Sequence, residues 1–238
     1  MTGSAPISAA ILAGGFGTRL RAAVPGIPKV LAEVRGRRFI DYLLMQLARA
    51  NVRSVVLCTG YLGDQVEEVL GGSYEGMHLS YSRELEPLGT GGALRFALPK
   101  IKSEHVLVLN GDSYCDVGID EFMRWHIDRA SDATILLSEV EDTRRFGSVE
   151  IDEGGRVRQF REKIEAGGRG WVNGGLYLIR RNRIKEIPSR RPVSLEREIF
   201  PQWVGRGLHG FRAPGRLWDI GVPESYALAN AEFAVGRL

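Results

Sequence analysis

Residues Leu12 to Leu20 read L-A-G-G-F-G-T-R-L, directly after the apolar run Ala9 to Leu12. The run predicts a short buried strand over Ser8 to Leu12, and the glycines predict a sharp loop at its end. A backbone without Cβ atoms can turn tightly and come close to a ligand, so that its N–H groups face an anion. Arg19 adds a guanidinium that can bond two oxygens at once. Gly14, Gly15, Gly17, Thr18 and Arg19, led in by Leu12 and Ala13, are therefore candidate contacts for the phosphate chain of a nucleoside triphosphate. Two familiar glycine patterns do not fit. A dinucleotide fingerprint needs a third glycine where Leu20 stands, and a P-loop needs G-K-[ST] where Gly17-Thr18-Arg19 stands. Both patterns open into a helix, whereas Pro25, Gly26 and Pro28 predict an extended loop here.

Downstream of this loop, short apolar runs alternate with helical patterns. Strands are predicted over Val30 to Val34, Ser54 to Thr59, Met77 to Ser82 and His105 to Leu109. Helices are predicted over Phe39 to Ala50, Asp64 to Leu70, Gly91 to Leu98 and Ile119 to Arg129, with Asp64 and Glu67 spaced as a capping box. Such alternation implies right-handed crossovers and a mostly parallel sheet with helices on both faces, a Rossmann-like α/β arrangement. Ligands of such sheets bind beyond the carboxyl ends of the strands. The glycine loop and Asn110-Gly111-Asp112 both come after strands and so can share one crevice. After Thr134 strands dominate: Thr134 to Val140, Ser148 to Ile151, Val157 to Arg161, Val172 to Ile179, Leu208 to Ala213 and Leu217 to Ile220. Asp152 to Gly155 predicts a hairpin turn. Helical segments are predicted over Arg181 to Ile187 and Ser194 to Val204, and Pro223 opens a last helix. One domain over residues 1–238 is expected, with a nucleotide-binding half to about 130 and a sugar-binding half from about 131.

Composition sets limits on partners. The 238 residues are 44% hydrophobic and 26% charged with a net charge of +3, ordinary for a soluble globular protein. The arginine pairs lack interleaved aromatics, so no nucleic-acid surface is expected. Two cysteines, Cys58 and Cys115, suggest reduced thiols and not a disulfide framework. Met1 to Pro6 has no signal-peptide pattern and no run approaches the ~20 apolar residues that span a bilayer, so a cytoplasmic protein without membrane contact is expected. A homo-oligomer is compatible with the chain. The four histidines show no metal-ligand spacing and are read as structural.

The glycine loop, L-A-G-G-F-G-T-R-L, and Pro28-Lys29 downstream of it resemble the signature of the sugar-phosphate nucleotidyltransferases. Further matches come in that family's order: Glu86 to Leu94, E-P-L-G-T-G-G-A-L; Asn110-Gly111-Asp112; Glu162-Lys163; Asn173-Gly174-Gly175; and Trp218-Asp219-Ile220-Gly221. The resemblance extends from about Ile7 to Phe233. It implies the nucleotidyltransferase, or GT-A-like, fold. It also implies transfer of a nucleotide from a nucleoside triphosphate to a sugar 1-phosphate, with release of pyrophosphate. That chemistry asks the protein to position two polyanions and neutralise charge. On this reading Arg19, Lys29, Asp112 and Lys163 are catalytic, and Asp112 and Asp219 hold Mg²⁺. Glu86, Gly89, Thr90, Asn110 and Gly111 join the nucleotide site, with Glu84 or Glu86 as the carboxylate that could accept from a guanine. Gly147, Glu162, Lys163, Asn173 and Gly174 belong to the sugar site, although Ile164 stands where many relatives carry proline, and Asn173-Gly174 also reads as a turn pair. The texts V-E-D-T-R-R-F-G-S-V-E, from Val140, and V-S-L-E-R-E-I-F-P, from Val193, are most similar to the branch that joins GTP to a heptose 1-phosphate. Mannose 1-phosphate with GTP and N-acetylmuramic acid 1-phosphate with UTP are the near alternatives. A catalytically silent nucleotide-sugar sensor is the alternative of another class.

Overall fold

The computed structural model describes residues 7–161, 168–189 and 191–233. Its strands are β1 (Ser8–Ala13), β2 (Glu33–Val34), β3 (Arg37–Arg38), β4 (Ser54–Thr59), β5 (Ser73–Tyr74), β6 (Met77–Arg83) and β7 (His105–Asn110). They continue with β8 (Ser113–Cys115), β9 (Ala133–Val140), β10 (Ser148–Ile151), β11 (Val157–Arg161), β12 (Gly170–Arg180), β13 (Leu208–Ala213) and β14 (Leu217–Asp219). The helices are α1 (Phe39–Arg49), α2 (Gly63–Leu70), α3 (Gly89–Ala97), α4 (Ile119–Asp128), α5 (Arg181–Lys185), α6 (Phe200–Trp203) and α7 (Pro223–Glu232). The main sheet runs β11-β10-β12-β7-β1-β4-β6-β5, with β9 and β13 branching from β12. The β7-β1-β4-β6 core is parallel, as the alternation predicts, while the strands of the second half join antiparallel at β12.

Side chains alternate across each central strand and so divide the core in two. Ala9 and Ile11 of β1 lie with Leu43 and Leu47 of α1 on one face; Ala10, Val56 and Val108 lie with Leu94, Leu195 and Phe200 on the other. With both faces covered, the polar backbone at the strand ends is what remains open to a ligand.

Three local expectations are corrected. Val30 to Val34 is not one strand: a 3₁₀ turn over Lys29–Leu31 precedes β2, which pairs with β3 across a tight turn. Asp64 caps nothing, because the N-cap of α2 is Leu62 in the left-handed conformation and Asp64 instead pairs with Arg83. The stretch after Gly17 is a chain of turns and not an extended loop, with Leu20 and Arg21 N–H both donating to Gly17 O and Ala23 and Val24 N–H to Leu20 O. Among the described residues no helix is long and apolar enough to cross a membrane.

Candidate active site

The loops after β1, β6 and β7 open at the same edge of the sheet and enclose a crevice of about 340 Å³. Leu12 through Arg19, Lys29, Glu84, Gly89, Thr90, Asn110, Gly111 and Asp112 all line it. Every residue read from the sequence as nucleotide-binding is thus gathered there except Glu86. Glu86 lines an adjoining hollow with Tyr61, Arg83 and Leu85, and it is exposed. Glu84 faces both spaces, with its N–H donating to Thr59 O at 2.9 Å and its Oε2 accepting from Leu88 N–H at 3.2 Å. Burial raises the Glu84 carboxyl above the ordinary range, and the bond from Leu88 opposes that shift. Of the two carboxylates left open by the sequence, Glu84 is the one inside the crevice.

Gly89, which lines the crevice, also serves packing together with Gly91 and Gly92. A Cβ on Gly89 would stand 2.5 Å from Val193 O, and one on Gly91 3.2 Å from it. Gly91 and Gly92 N–H both donate to that carbonyl, while Val193 N–H donates to Leu88 O. The glycines therefore let the segment around Val193 dock on the start of α3. The V-S-L-E-R-E-I-F-P text begins against the start of α3 and continues through a π-helical turn, Leu195–Ile199, into α6.

The acidic end of the crevice depends on a ladder that the sequence pattern does not reveal. Strand β14 pairs antiparallel with β8, which sets Asp219 opposite Ser113, and Ile220 N–H donates to Asp112 O at 3.0 Å. Asp112 and Asp219, far apart in the chain, thereby come side by side. Lys29 forms an ion pair with Asp112 Oδ2, and Ser113 Oγ donates to Oδ1 at 3.3 Å. Burial pushes the Asp112 carboxyl up, but the charge and hydrogen bond of Lys29, with help from Ser113, hold it below its ordinary range. Asp219 goes the other way: burial and then the charge of Asp112 raise it, against the pull of Lys29. Gly221 N–H at 2.9 Å and Ser225 Oγ at 3.2 Å both donate to Asp219 Oδ1.

This pair fits a hard divalent cation of one kind. Two carboxylates whose mutual repulsion only one lysine relieves would gain from a cation. Among the described residues no group of three or more His, Cys, Asp or Glu gathers, so substrate phosphate and water oxygens would complete the shell. Mg²⁺ prefers that arrangement over an all-protein cage.

The sugar-side predictions fare differently. Glu162 and Lys163 lie outside the described residues. Gly147 O accepts from Asn173 N–H at 3.0 Å. Asn173-Gly174 is not a hairpin turn: it lies at an irregularity inside β12, where the register against β9 shifts between Asn173 and Tyr177. Asn173 Oδ1 accepts from Gly175 N–H at 3.0 Å, and its Nδ2 donates to Tyr177 Oη at 2.8 Å. Gly174 is buried, and a Cβ there would press on Leu136, so its small size is already explained by packing against β9. Tyr177, Glu196 and the β8–β14 ladder carry no signal in the sequence pattern, apart from the place of Glu196 within the V-S-L-E-R-E-I-F-P text.

A sheet with a parallel core, and with a glycine-rich loop, a lysine and paired aspartates at one edge, has the layout of a nucleotide-handling α/β protein. The match to the Nucleotidyl transferase model spans residues 8–235. The chain belongs to that family. It is 35% identical to a mannose-1-phosphate guanylyltransferase of Mycobacterium tuberculosis, covering 97% of this chain and 65% of that protein. It is 33% identical to the D-glycero-alpha-D-manno-heptose 1-phosphate guanylyltransferase of Aneurinibacillus thermoaerophilus, covering 95% of this chain and 98% of that one. The chain thus spans about two thirds of the first relative and nearly all of the second. Its fold superposes on HddC from Yersinia pseudotuberculosis complexed with GMP-PN with a TM-score of 0.82 at 32% identity, covering 95% of this chain and 99% of that chain.

Proposed function

We propose that the protein transfers GMP from GTP to a heptose 1-phosphate, giving a GDP-heptose and pyrophosphate. The observation that carries this reading is the convergence of the glycine loop, Lys29 and Asp112 on one crevice that Glu84 also lines, with Asp219 set beside Asp112 by the pairing of β14 with β8. In the reaction an oxygen of the sugar phosphate attacks the α-phosphorus of GTP in line. The bond from that phosphorus to the bridging oxygen of the β-phosphate breaks, and pyrophosphate leaves with the electron pair. Backbone N–H groups of Gly14 to Thr18 and the Arg19 fork hold the triphosphate oxygens. Lys29, fixed against Asp112, supplies a point charge beside them. Mg²⁺, bound by Asp112 and Asp219, would neutralise charge that develops on the phosphates. Glu84 accepts from the donor edge of guanine, which offers two adjacent N–H donors where uracil offers one between two carbonyls.

On the sugar side Glu162, Lys163, Gly147 and Asn173 are the proposed contacts, Lys163 toward the 1-phosphate. The heptose reading is supported by near end-to-end similarity to guanylyltransferases of that substrate. Mannose 1-phosphate is the second reading, favoured by the 35% identity to the mycobacterial enzyme. A grid of nucleoside triphosphates against sugar 1-phosphates, scored by pyrophosphate release, tests both. Turnover is expected with GTP and a manno-configured heptose 1-phosphate; preference for UTP or for mannose 1-phosphate overturns the base or the sugar assignment respectively.

A further inference from the structure

Behind the crevice lies a network of polar side chains centred on Tyr177 and Glu196, two residues that none of the roles above uses. Tyr177 is fully buried in β12, yet its hydroxyl meets three partners. Asn110 Nδ2 lies 3.3 Å from it, Asn173 Nδ2 2.8 Å, and Glu196 Oε1 3.3 Å. Glu196 also receives Thr90 Oγ1 at 2.7 Å and Ser194 Oγ at 2.9 Å, both on Oε2. Thr90 Oγ1 in turn accepts from Leu195 N–H at 2.8 Å, and Ser194 Oγ from Arg197 N–H at 3.1 Å.

Counting donors and acceptors fixes the proton directions. A hydroxyl has one proton and two acceptor sites, and a carboxylate has only acceptor sites. Thr90 and Ser194 already accept from backbone N–H groups, so their protons go to Glu196. Burial, reinforced by the charge of Glu196, holds the Tyr177 hydroxyl protonated far above its ordinary range. Its proton therefore also goes to Glu196, and the oxygen can only accept. Both asparagines must then turn their NH₂ groups to Tyr177. The Asn173 oxygen is thereby aimed at Gly175 N–H. The Asn110 oxygen is left buried without a partner among the described residues.

We infer that Tyr177 and Glu196 are positioning residues that set the amide orientation of Asn110 and Asn173, and through them the strand ends beside Asp112 and the sugar side. The proposal rests on the nucleotidyl-transfer reading of the crevice. Three segments meet in this network: the base loop at Thr90, the end of β7 at Asn110, and the β12 irregularity at Asn173. Glu196 accepts from Thr90 directly and is joined to Asn110 and Asn173 through the Tyr177 hydroxyl. Asn110 lies two residues before Asp112 and lines the crevice, so its orientation bears directly on where the reactants sit.

Two near-isosteric variants test it. Tyr177→Phe removes the hydroxyl and keeps the ring. Glu196→Gln keeps the shape but offers one amide donor where only acceptors stood, so Tyr177 or a neighbour must reverse its proton. Both should lower kcat on the order of tenfold or more, as expected when reacting groups are slightly misplaced. The Kd for a non-hydrolysable GTP analogue and the thermal midpoint should change little by comparison. Side-chain amide NMR resonances of Asn110 and Asn173 should shift in both variants. Resonances that stay in place in Tyr177→Phe overturn the proposal whatever the catalytic result. Unchanged kcat in both variants, with an active wild type, overturns it too. A wild type that releases no pyrophosphate from any pairing overturns the functional reading instead, and the amide resonances still decide this one.

Discussion

Strand β7 carries a polar cluster at each end, and the two are built to opposite rules. At its start His105 Nδ1 lies 3.0 Å from His126 Nε2, and His126 Nδ1 lies 2.7 Å from Thr134 Oγ1. Both ring nitrogens of the fully buried His126 are thus partnered. At its far end the Asn110 oxygen lacks a partner among the described residues, and Asp112 raises the pKa of its like-charged neighbour Asp219. One end partners both nitrogens of its buried imidazole; the other brings two carboxylates together and leaves an amide oxygen open. A polar group that folding has fully satisfied is structural, whereas strained or unpaired ones point to a ligand.

The sharpest way to break this contrast is at the acidic end. Asp112→Asn and Asp219→Asn should each lower pyrophosphate release on the order of 10²- to 10³-fold, the range for losing one preorganised charge contact in a transition state. Chelating divalent ions from the wild-type protein should abolish turnover, with recovery on adding Mg²⁺. Wild-type rates in either variant would break the metal assignment. A smaller change is expected at Glu84. Glu84→Gln exchanges one acceptor for a donor, and kcat/KM for GTP should fall on the order of 10²-fold, with the UTP-to-GTP ratio rising. An unchanged ratio would show that other groups read the base.

How much of this can be read from the chain differs by feature. The strands Ser54–Thr59, Ser148–Ile151, Val157–Arg161 and Leu208–Ala213 agree with the structure to the residue. The first is an apolar, β-branched buried run, while Val157–Arg161 shows apolar residues recurring among exposed polar ones. The crevice contacts of the glycine loop are legible because strand-end loops of a parallel core must meet at one edge. Strand β8 has three residues and no usable period, so its pairing with β14, which joins the two aspartates, cannot be seen. Choosing between Glu84 and Glu86 requires knowing where β6 ends. Glu84 is still held to Thr59, whereas Leu85, 94% exposed, has already turned outward. Asn173-Gly174 has the letters of a turn, yet β12 continues through it, because β9 and β10 flank the first part of the strand and β9 and β7 the second. That choice is made by tertiary pairing and not by the dipeptide.

The smallest effect belongs to the closed end of β7, and it concerns stability alone. Burial lowers the His126 pKa to about 3, helped by the charges of His105, Arg180 and His209. His105 shifts the same way through burial and Arg180, with Glu104 opposing. A histidine lowered in the folded state binds its proton more readily when unfolded. Its contribution is therefore nil above the ordinary histidine range, and stability falls as acid is added below about pH 6.5, by at most ~1.4 kcal/mol per pH unit for His126, down to about pH 3. Urea unfolding at a series of pH values should show this slope. His126→Asn should start less stable at neutral pH, by about 1–3 kcal/mol for the lost bonds, yet show a shallower acid slope and an unchanged kcat. An identical slope would mean that other groups carry the acid sensitivity. A reduced kcat would mean that the two ends of β7 are not independent.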